Sequence, residues 1–537
     1  MASSSPVAQP NSWPDSTLPS GLEMAPHGYV LTALLVVLAC VALKLSNKDD
    51  IPLVNPPRWF RPEALARMDF FKTGMQVLSK ARSTVADKPF KVLSEGGYVT
   101  VLPPRFAHTI RNEKDLSFAD AIKIDFNAHV PGFEPFAFVG HESHVLQDVL
   151  MKRLTKRLNT VTEPLSLEAA FGVSHIFGES PEWRQMPAKA PILDLVARLS
   201  SRVFLGDELC RNEDWLRVTK DYTVITFKAA IKIQLMPRPL RALLHWFVPE
   251  CRLARQYLAE SSALIRPVVE KRRAEKKKAV DAGAQPPEYN DAIDWADIES
   301  KGRAYDPAVF QLTMSFAAIH TTTDLLAQTM LFLADRPELI TPLREEIVQV
   351  LKAEGWKKTA LYNMKLLDSA CKETQRVKPS SMFSMRRIAT KDVTLDEGIK
   401  VRRGEKIVVD ATSTSDTKIY QDVDRYDIYR FRRMREDPAK MNKAQLVSTS
   451  PEHLAFGHGL HACPGRFFAS NEVKVALCHL LLKYDWKLAP GNTADPVIAG
   501  VSKQVNPSTV IMFRRREEEL DIDSLEIVGD AGEPDAA

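Results

Sequence analysis

One stretch concentrates the chemistry: Phe456-Gly-His-Gly-Leu-His-Ala-Cys463-Pro-Gly465-Arg-Phe-Phe-Ala469. It is glycine-rich and runs into an amphipathic pattern that predicts a helix over about 465–483. Gly457, Gly459 and Gly465 let the backbone turn tightly and approach a partner closely. Cys463 sits just before the helix start, where backbone N–H groups and the helix dipole stabilise a thiolate. A thiolate presented on a tight glycine loop is what an axial haem ligand requires. Three other readings stay open. His453, His458, His461 and Cys463 are zinc-ligand types, although structural zinc favours paired ligands from separated segments and no second cluster exists. A nucleophilic cysteine needs a base, which His458 or His461 could supply. A free structural cysteine is the plain alternative. The spacing Phe-x-x-Gly-x-x-x-Cys-x-Gly is long and specific, and it puts haem thiolate ahead.

Two further features carry polar chemistry in apolar surroundings. Ala308–Leu333 has few charges and no proline, but Ser, His, Thr and Asp interrupt it too often for a membrane span. It predicts a central helix buried on most sides. Within it lies Ala317-Ala-Ile-His320-Thr321-Thr322-Thr323. Three adjacent threonines suit a helix poorly, since β-branching restricts χ1 and the hydroxyls compete for backbone carbonyls. A polar, strained spot in a buried helix is a functional candidate; hydroxyls satisfied by the preceding carbonyls are the plain alternative. The second feature is Glu373-Thr-Gln-Arg376, a carboxylate and a guanidinium at i and i+3 on one helix face. An exposed pair of that kind is worth under about 1 kcal/mol. A buried one must satisfy its remaining donors.

These residues need a scaffold, and the patterning says which. Residues 141–172, 190–235 and 252–280 show apolar positions at helical spacing. Strand-like pieces are few: Tyr98–Leu102, Val393–Leu395, Ile399–Arg402 and Lys406–Val409, the last two forming a hairpin candidate across Gly404-Glu405. The class is mainly α with a minor β-sheet region. Of 537 residues, 45% are hydrophobic and 26% charged, which excludes wholesale disorder. The net charge of +4 is too small for this length to suggest a nucleic-acid protein. Six widely spaced cysteines with no CxxC pair favour a reducing compartment.

The ends read differently from the middle. Residues 1–26 are a Ser-, Pro- and Ala-rich segment expected to be disordered. The uncharged run 28–43 lacks the basic leader of a signal peptide and is followed by Lys44 and Lys48. It predicts an uncleaved single-pass anchor over 27–45 with the C-terminal side in the cytosol. A stiff Pro-rich linker, 46–57, joins it to a body over 58–515, and 516–537 reads as an acidic, disordered tail.

Phe456–Gly465 resembles the haem-binding loop of the cytochrome P-450 superfamily, most of all its fungal-type membrane-bound members. Glu373–Arg376 resembles the family's Glu-x-x-Arg pair. Tyr426-Asp-Ile-Tyr-Arg430-Phe431 resembles the later segment that supplies a second arginine, and Ala317–Thr322 the oxygen-binding stretch of the central helix. The four stand in the family's order and, with anchor and proline elbow, cover nearly the whole chain.

The resemblance implies a P-450-like fold and haem b held by the Cys463 thiolate, with Phe456, Gly459, His461 and Gly465 in its loop. Glu373, Arg376 and Arg430 would form a structural triad. Thr321 with His320, at the usual acid position, or Thr322 would serve proton delivery. Haem carboxylates need cations; the candidates are His461, Arg386 or Arg387, and Lys152 in place of a missing early Trp-x-x-x-Arg. The pocket would draw on residues near 115–138, Phe316, Ala317, His320, Ser380–Ser384 and residues near Gly500–Ser502. The activity implied is monooxygenation of a lipophilic terpenoid or polyketide in secondary metabolism at the endoplasmic reticulum membrane. Because the chain lacks a dinucleotide fingerprint, electrons would come from an NADPH-cytochrome reductase docked on Lys152, Arg153, Lys156, Arg157 and Arg466. The alternatives are a peroxide-dependent oxidase or isomerase, and a non-catalytic haem- or metal-binding membrane protein.

Overall fold

The computed structural model describes residues 31–32, 34–35 and 51–525. The predicted leader and most of the predicted anchor lie outside the described residues; Leu31, Thr32, Leu34 and Leu35 of the uncharged run are helical. Among the described residues no helix is long and apolar enough to cross a membrane. The chain divides after Pro52, and the unit from Leu53 onward holds all the elements that follow.

This unit is built chiefly of helices. They include α1 (Glu63–Val85), α2 (Phe118–Asp125), α3 (Leu158–Phe177), α4 (Lys189–Leu209) and α5 (Glu213–Leu235). Then come α6 (Pro249–Asp281), α7 (Pro307–Ala334), α8 (Ile340–Glu354), α9 (Lys365–Val377) and α10 (Arg466–Lys483). The central helix is α7. Pro307 opens it, and the Asp306 carboxylate accepts from the Ala308 and Val309 N–H groups at 2.8 and 3.2 Å. It packs against α4, α5, α6, α9 and α10, so its sequence is apolar nearly all round.

Two predicted helical stretches are interrupted. Residues 190–235 split where the Asn212 side chain accepts from Trp215 N–H (3.0 Å) and starts α5. Residues 141–172 hold a short helix (Val145–Asp148), a wide π-type turn (Val149–Leu154) and a break at Arg157 before α3. Helical spacing alone does not register such a turn, because its apolar positions drift by only one residue.

The strands are β1 (Phe90–Ser94), β2 (Gly97–Leu102), β3 (Leu116–Ser117), β4 (Arg184–Pro187), β5 (Phe383–Ala389) and β6 (Val393–Thr394). They continue with β7 (Lys400–Val401), β8 (Lys406–Asp410), β9 (Tyr484–Leu488), β10 (Val497–Ala499), β11 (Ser502–Gln504) and β12 (Val510–Arg515). The main sheet has the order β1-β2-β8-β5-β3. The expected hairpin across Gly404-Glu405 does not form: β7 pairs with β6, whereas β8 lies between β2 and β5. Its apolar run Ile407–Val409 is better buried in the middle of a sheet than on a two-stranded ribbon.

The body is longer at both ends than the sequence suggests. Val54 N–H donates to Lys91 O (3.0 Å), and the Asn55 amide exchanges two bonds with the Leu93 backbone. The proline segment is therefore fastened to β1 from Leu53 on. Beyond Arg515, Arg516 donates to Leu482 O (2.8 Å), Trp356 Nε1 donates to Ile522 O (2.9 Å), and Lys483 pairs with Asp523. The acidic segment is thus bound to α10 as far as the structure describes it.

Candidate functional site

Cys463 ends a closed loop. Its N–H donates to Phe456 O (2.8 Å), and Gly457 and Gly459 hold φ values of +69° and +78°. A Cβ on Gly459 would stand 2.4 Å from Arg111 Cβ, so only glycine lets this loop lie against residue 111, whose carbonyl accepts from Leu460 N–H (3.2 Å). Gly465 is the residue before α10, and the Gly465 and Arg466 N–H groups point at the Cys463 sulfur. Burial raises the thiol's pKa, while these two N–H groups and the Arg466 guanidinium oppose that rise. The three histidines do not gather round it. His453 is buried against Lys372 O, and His458 meets His108 edge to face, with ring centroids 5.4 Å apart. His461 lies near Phe118, with ring centroids 6.3 Å apart. Among the described residues no metal-holding group of three such side chains exists.

A buried ionic cluster stands behind the loop. Glu373 accepts from Arg376 Nε and Nη2, both at 2.8 Å, from Arg430 Nε at 3.0 Å and from Asp427 N–H at 3.1 Å. The guanidiniums spend their other donors on the Thr414, Arg425 and Asp422 carbonyls. From α9 the support continues: Lys372 Nζ donates to Gln445 O (2.6 Å) and Ser448 O (3.1 Å). Asp368 takes Leu446 N–H (2.8 Å) together with the Arg435 and Lys474 side chains. Arg466 then ties Val447 O (3.2 Å) to Cys463 O (2.8 Å). The sequence reading missed Asp368, Lys372 and Lys474. Their signal was three charged residues at positions their helices bury.

On α7, Ala317 and Thr321 are exposed and four residues apart, on one face of a helix otherwise largely buried. The Thr321 hydroxyl donates to Ala317 O (2.8 Å) and Ala318 O (3.1 Å), leaving its lone pairs outward. Thr323 also bonds back, to Ile319 O (2.7 Å). Thr322 is buried and lies against Glu472 of α10, whose carboxyl accepts from Ser200 Oγ (2.6 Å). Burial pushes the Glu472 carboxyl up to about 8, which favours its neutral form. The sequence reading missed it too. His320 is turned away: its Nε2 meets Lys220 O on α5 at 3.0 Å, and burial holds its pKa below the usual histidine range.

The cation candidates separate clearly. Met385 stands at φ +48° in a β-bulge of β5, and the arginines after it go different ways. Arg386 pairs with Asp125, which also takes Lys406. Arg387 is buried, sits 5.8 Å from the Phe118 ring centroid, and donates only to Arg386 O (2.7 Å). Its Nε has no partner among the described residues, and burial brings its pKa down to about 10. Partial burial lowers the His461 pKa, and the nearby Arg387 adds to that. A buried guanidinium with an unmatched donor, converging with an imidazole, suits a carboxylate-bearing group, and a haem brings two carboxylates. The donor set thus fits haem: sulfur from Cys463, and Arg387 with His461 for its acid groups. Lys152 does not join them; it pairs with Asp148 (2.7 Å) on an exposed surface. Of the expected docking face, Arg153 is spent on Glu299 and Arg466 on the Cys463 loop.

Part of the expected pocket is filled. Met382, Phe383 and Val501 are buried in a cluster with Phe70 and Leu78 of α1. Phe316 is closed over by Phe136, with ring centroids 4.7 Å apart.

The chain matches known proteins along most of its length. The family profile described as Cytochrome P450 matches residues 177–512. Cytochrome P450 monooxygenase hepE of Aspergillus oryzae is 44% identical, the alignment covering 92% of this chain and 91% of that one. A cytochrome P450 monooxygenase 1 of Gibberella fujikuroi is 46% identical over 81% of this chain and 99% of its own. Among solved structures, a retinoic acid-bound cyanobacterial CYP120A1 superposes with a TM-score of 0.62, covering 87% of this chain and 99% of that one. At 17% identity that likeness concerns the fold alone.

Proposed function

The chain belongs to the cytochrome P450 family and is a haem b monooxygenase with an axial cysteine thiolate, and from that premise we propose that Cys463 is the ligand and that the enzyme oxidises a lipophilic secondary metabolite. The observation that carries the assignment is the Cys463 loop, closed on Phe456 O and pinned from behind by Arg466.

A bound haem would supply the chemistry of O₂ activation: with two electrons and two protons, one oxygen atom would go to substrate and the other to water. The protein's own residues hold and feed that group. The Gly465 and Arg466 N–H groups moderate the charge on sulfur. Arg387 and His461 orient the acid groups. Thr321, anchored to two carbonyls, holds its oxygen toward the open face of α7 as an acceptor and relay point for a water-borne proton. His320 is a positioning residue: its bond to Lys220 O ties α5 to α7.

The finer reading is a terpenoid or polyketide as substrate, electrons from an NADPH-cytochrome reductase, and an anchor over 27–45 in the endoplasmic reticulum membrane with the body in the cytosol. The uncharged run before Lys44 and Lys48, and the fungal monooxygenase relatives, support it. The deciding measurement is the carbon monoxide difference spectrum of the dithionite-reduced protein. A strongly red-shifted Soret band is expected; an unshifted band overturns thiolate ligation. Product formation that needs NADPH and reductase separates the monooxygenase from a peroxide-driven oxidase or isomerase. Resistance of the membrane-bound chain to alkaline extraction tests the anchor.

A further inference from the structure

Glu472 is answered differently from the other buried acids near it. Glu373 meets Arg376 and Arg430, Asp368 meets Arg435 and Lys474, and Asp324 meets Lys378. Glu472 is fully buried on α10 and pairs with no cation among the described residues. Its Oε1 accepts from Ser200 Oγ of α4 at 2.6 Å, and the Thr322 side chain of α7 is the second hydrogen-bonding group on the same carboxyl. Oε2 is buried with no close partner among the described residues. A carboxylate placed there would set a full charge against hydroxyls and apolar packing, which is costly. A protonated carboxyl is acceptor and donor at once. Its carbonyl oxygen takes the Ser200 proton, and its O–H has the Thr322 oxygen to donate to.

Thr322 differs from the threonines on either side of it. Thr321 and Thr323 bond back to carbonyls of their own helix at 2.8 and 2.7 Å, as helical threonines commonly do. The Thr322 hydroxyl faces α10 instead. The three helices also meet beside this point. Gln311 Nε2 of α7 donates to Phe204 O of α4 (3.1 Å), and the Phe204 ring packs on Phe468 of α10 with centroids 5.5 Å apart. Phe204 and Phe468 lie one turn from Ser200 and Glu472 on their respective helices. Glu472 therefore closes a three-helix joint. One of the joined helices carries Thr321, the residue next to Thr322; another begins three residues after Cys463, at Arg466. A displacement of about 1 Å at a reacting group can cost about a hundredfold in rate. A directional polar strut holds such a register better than an apolar contact, which tolerates sliding.

We propose that Glu472 is a positioning residue for the oxygenation: an uncharged donor–acceptor strut between Ser200 and Thr322 that holds the α7 turn bearing Thr321 in register with the helix that begins behind Cys463. This deepens the reading of Cys463 and Thr321 given above and rests on it.

The strut has a stringent isostere. A glutamine side chain reproduces a protonated carboxyl, its oxygen accepting from Ser200 and its NH₂ donating to Thr322, but it cannot supply a proton or a charge. The test uses carbon monoxide as the probe on the haem-loaded protein and needs no substrate. The infrared C–O stretch of bound carbon monoxide senses the polar groups around it. Glu472→Gln should give the wild-type band. Glu472→Leu and Thr322→Val should each shift or split it. In thermal unfolding the Tm losses of Glu472→Leu and Thr322→Val should be less than additive in the double variant, since each removes the same contact. An unmoved band in Glu472→Leu, or in Thr322→Val where the leucine variant does not fold, overturns the proposal, as do fully additive Tm losses. A glutamine band displaced as far as the leucine band overturns it too, because the acid's proton or charge would then matter rather than its shape. The Soret band of the same samples separates this proposal from the reading beneath it. A wild type without the red-shifted band sinks haem-thiolate ligation and this proposal with it; a red-shifted band with an infrared stretch indifferent to Glu472→Leu sinks this proposal alone.

Discussion

Replacing Glu373 with glutamine probes the support behind Cys463 with little change of shape. Glu373 is fully buried and takes four side-chain hydrogen bonds from two guanidiniums plus the Asp427 N–H. The amide removes the charge and sets an NH₂ donor against arginine donors. Removing one partner of a buried ion pair costs about 3–5 kcal/mol, against under about 1 kcal/mol for an exposed pair. Arg376 and Arg430 keep their carbonyl acceptors, so the lower end, about 3 kcal/mol, is expected. Residues 51–525 are 475 residues, and at roughly 2.1 cal/mol/K per residue the unfolding entropy is about 1 kcal/mol/K. The apparent Tm of the haem-loaded protein should therefore fall by about 3 °C. Thermal unfolding followed by circular dichroism reads this directly. Lys440→Gln, which deletes the Lys440–Asp437 pair at 3.2 Å on the surface, should leave Tm unmoved. An equally small shift for both variants would refute the claim that this cluster behaves as a buried ionic unit.

Other expectations follow from the same geometry. Cys463→Ser should abolish the red-shifted carbon monoxide band in protein that still folds by circular dichroism. Arg387→Leu should lower the ratio of haem to protein absorbance after purification, and Arg386→Gln, which removes one of the two cations on Asp125, should leave that ratio unchanged. Thr321→Ala should raise NADPH consumed per product formed, measured in a reconstituted reductase system; unchanged coupling would remove Thr321 from the relay. Stability should fall with acid. Burial lowers the pKa of His320, His453 and His479, so the unfolded chain binds more protons once pH drops below the ordinary histidine value of about 6.5. Tm measured from neutral pH to about pH 5 should decline, and His453→Phe should flatten that decline.

What was legible in the sequence was local. The Cys463 loop declares itself because glycines at positive φ, a cysteine and a helix start lie within ten residues of one another. Glu373 and Arg376 announce a pair because i and i+3 share a helix face whatever the tertiary context. The features that escaped depend on partners far along the chain. His320 carries no mark of its bond to Lys220, one hundred residues away. Arg386 and Arg387 are adjacent and chemically identical, and only the bulge at Met385 and the pairing of β5 with β8 decide which one meets Asp125 and which is left buried. Lys152 looked like a substitute because spacing cannot reveal a π-type turn that carries the side chain outward. The buried charges of α9 and α10 could have been suspected from position, since Asp368, Lys372, Glu472 and Lys474 fall on faces that packing covers on every side. A charge kept there must be answered by other polar groups. Asp368 has cations, Lys372 has carbonyls, and Glu472 has hydroxyls and is held neutral instead. The fold thus spends paired charge on the rear of the Cys463 loop, and places beside Thr322 a carboxyl whose charged form burial disfavours.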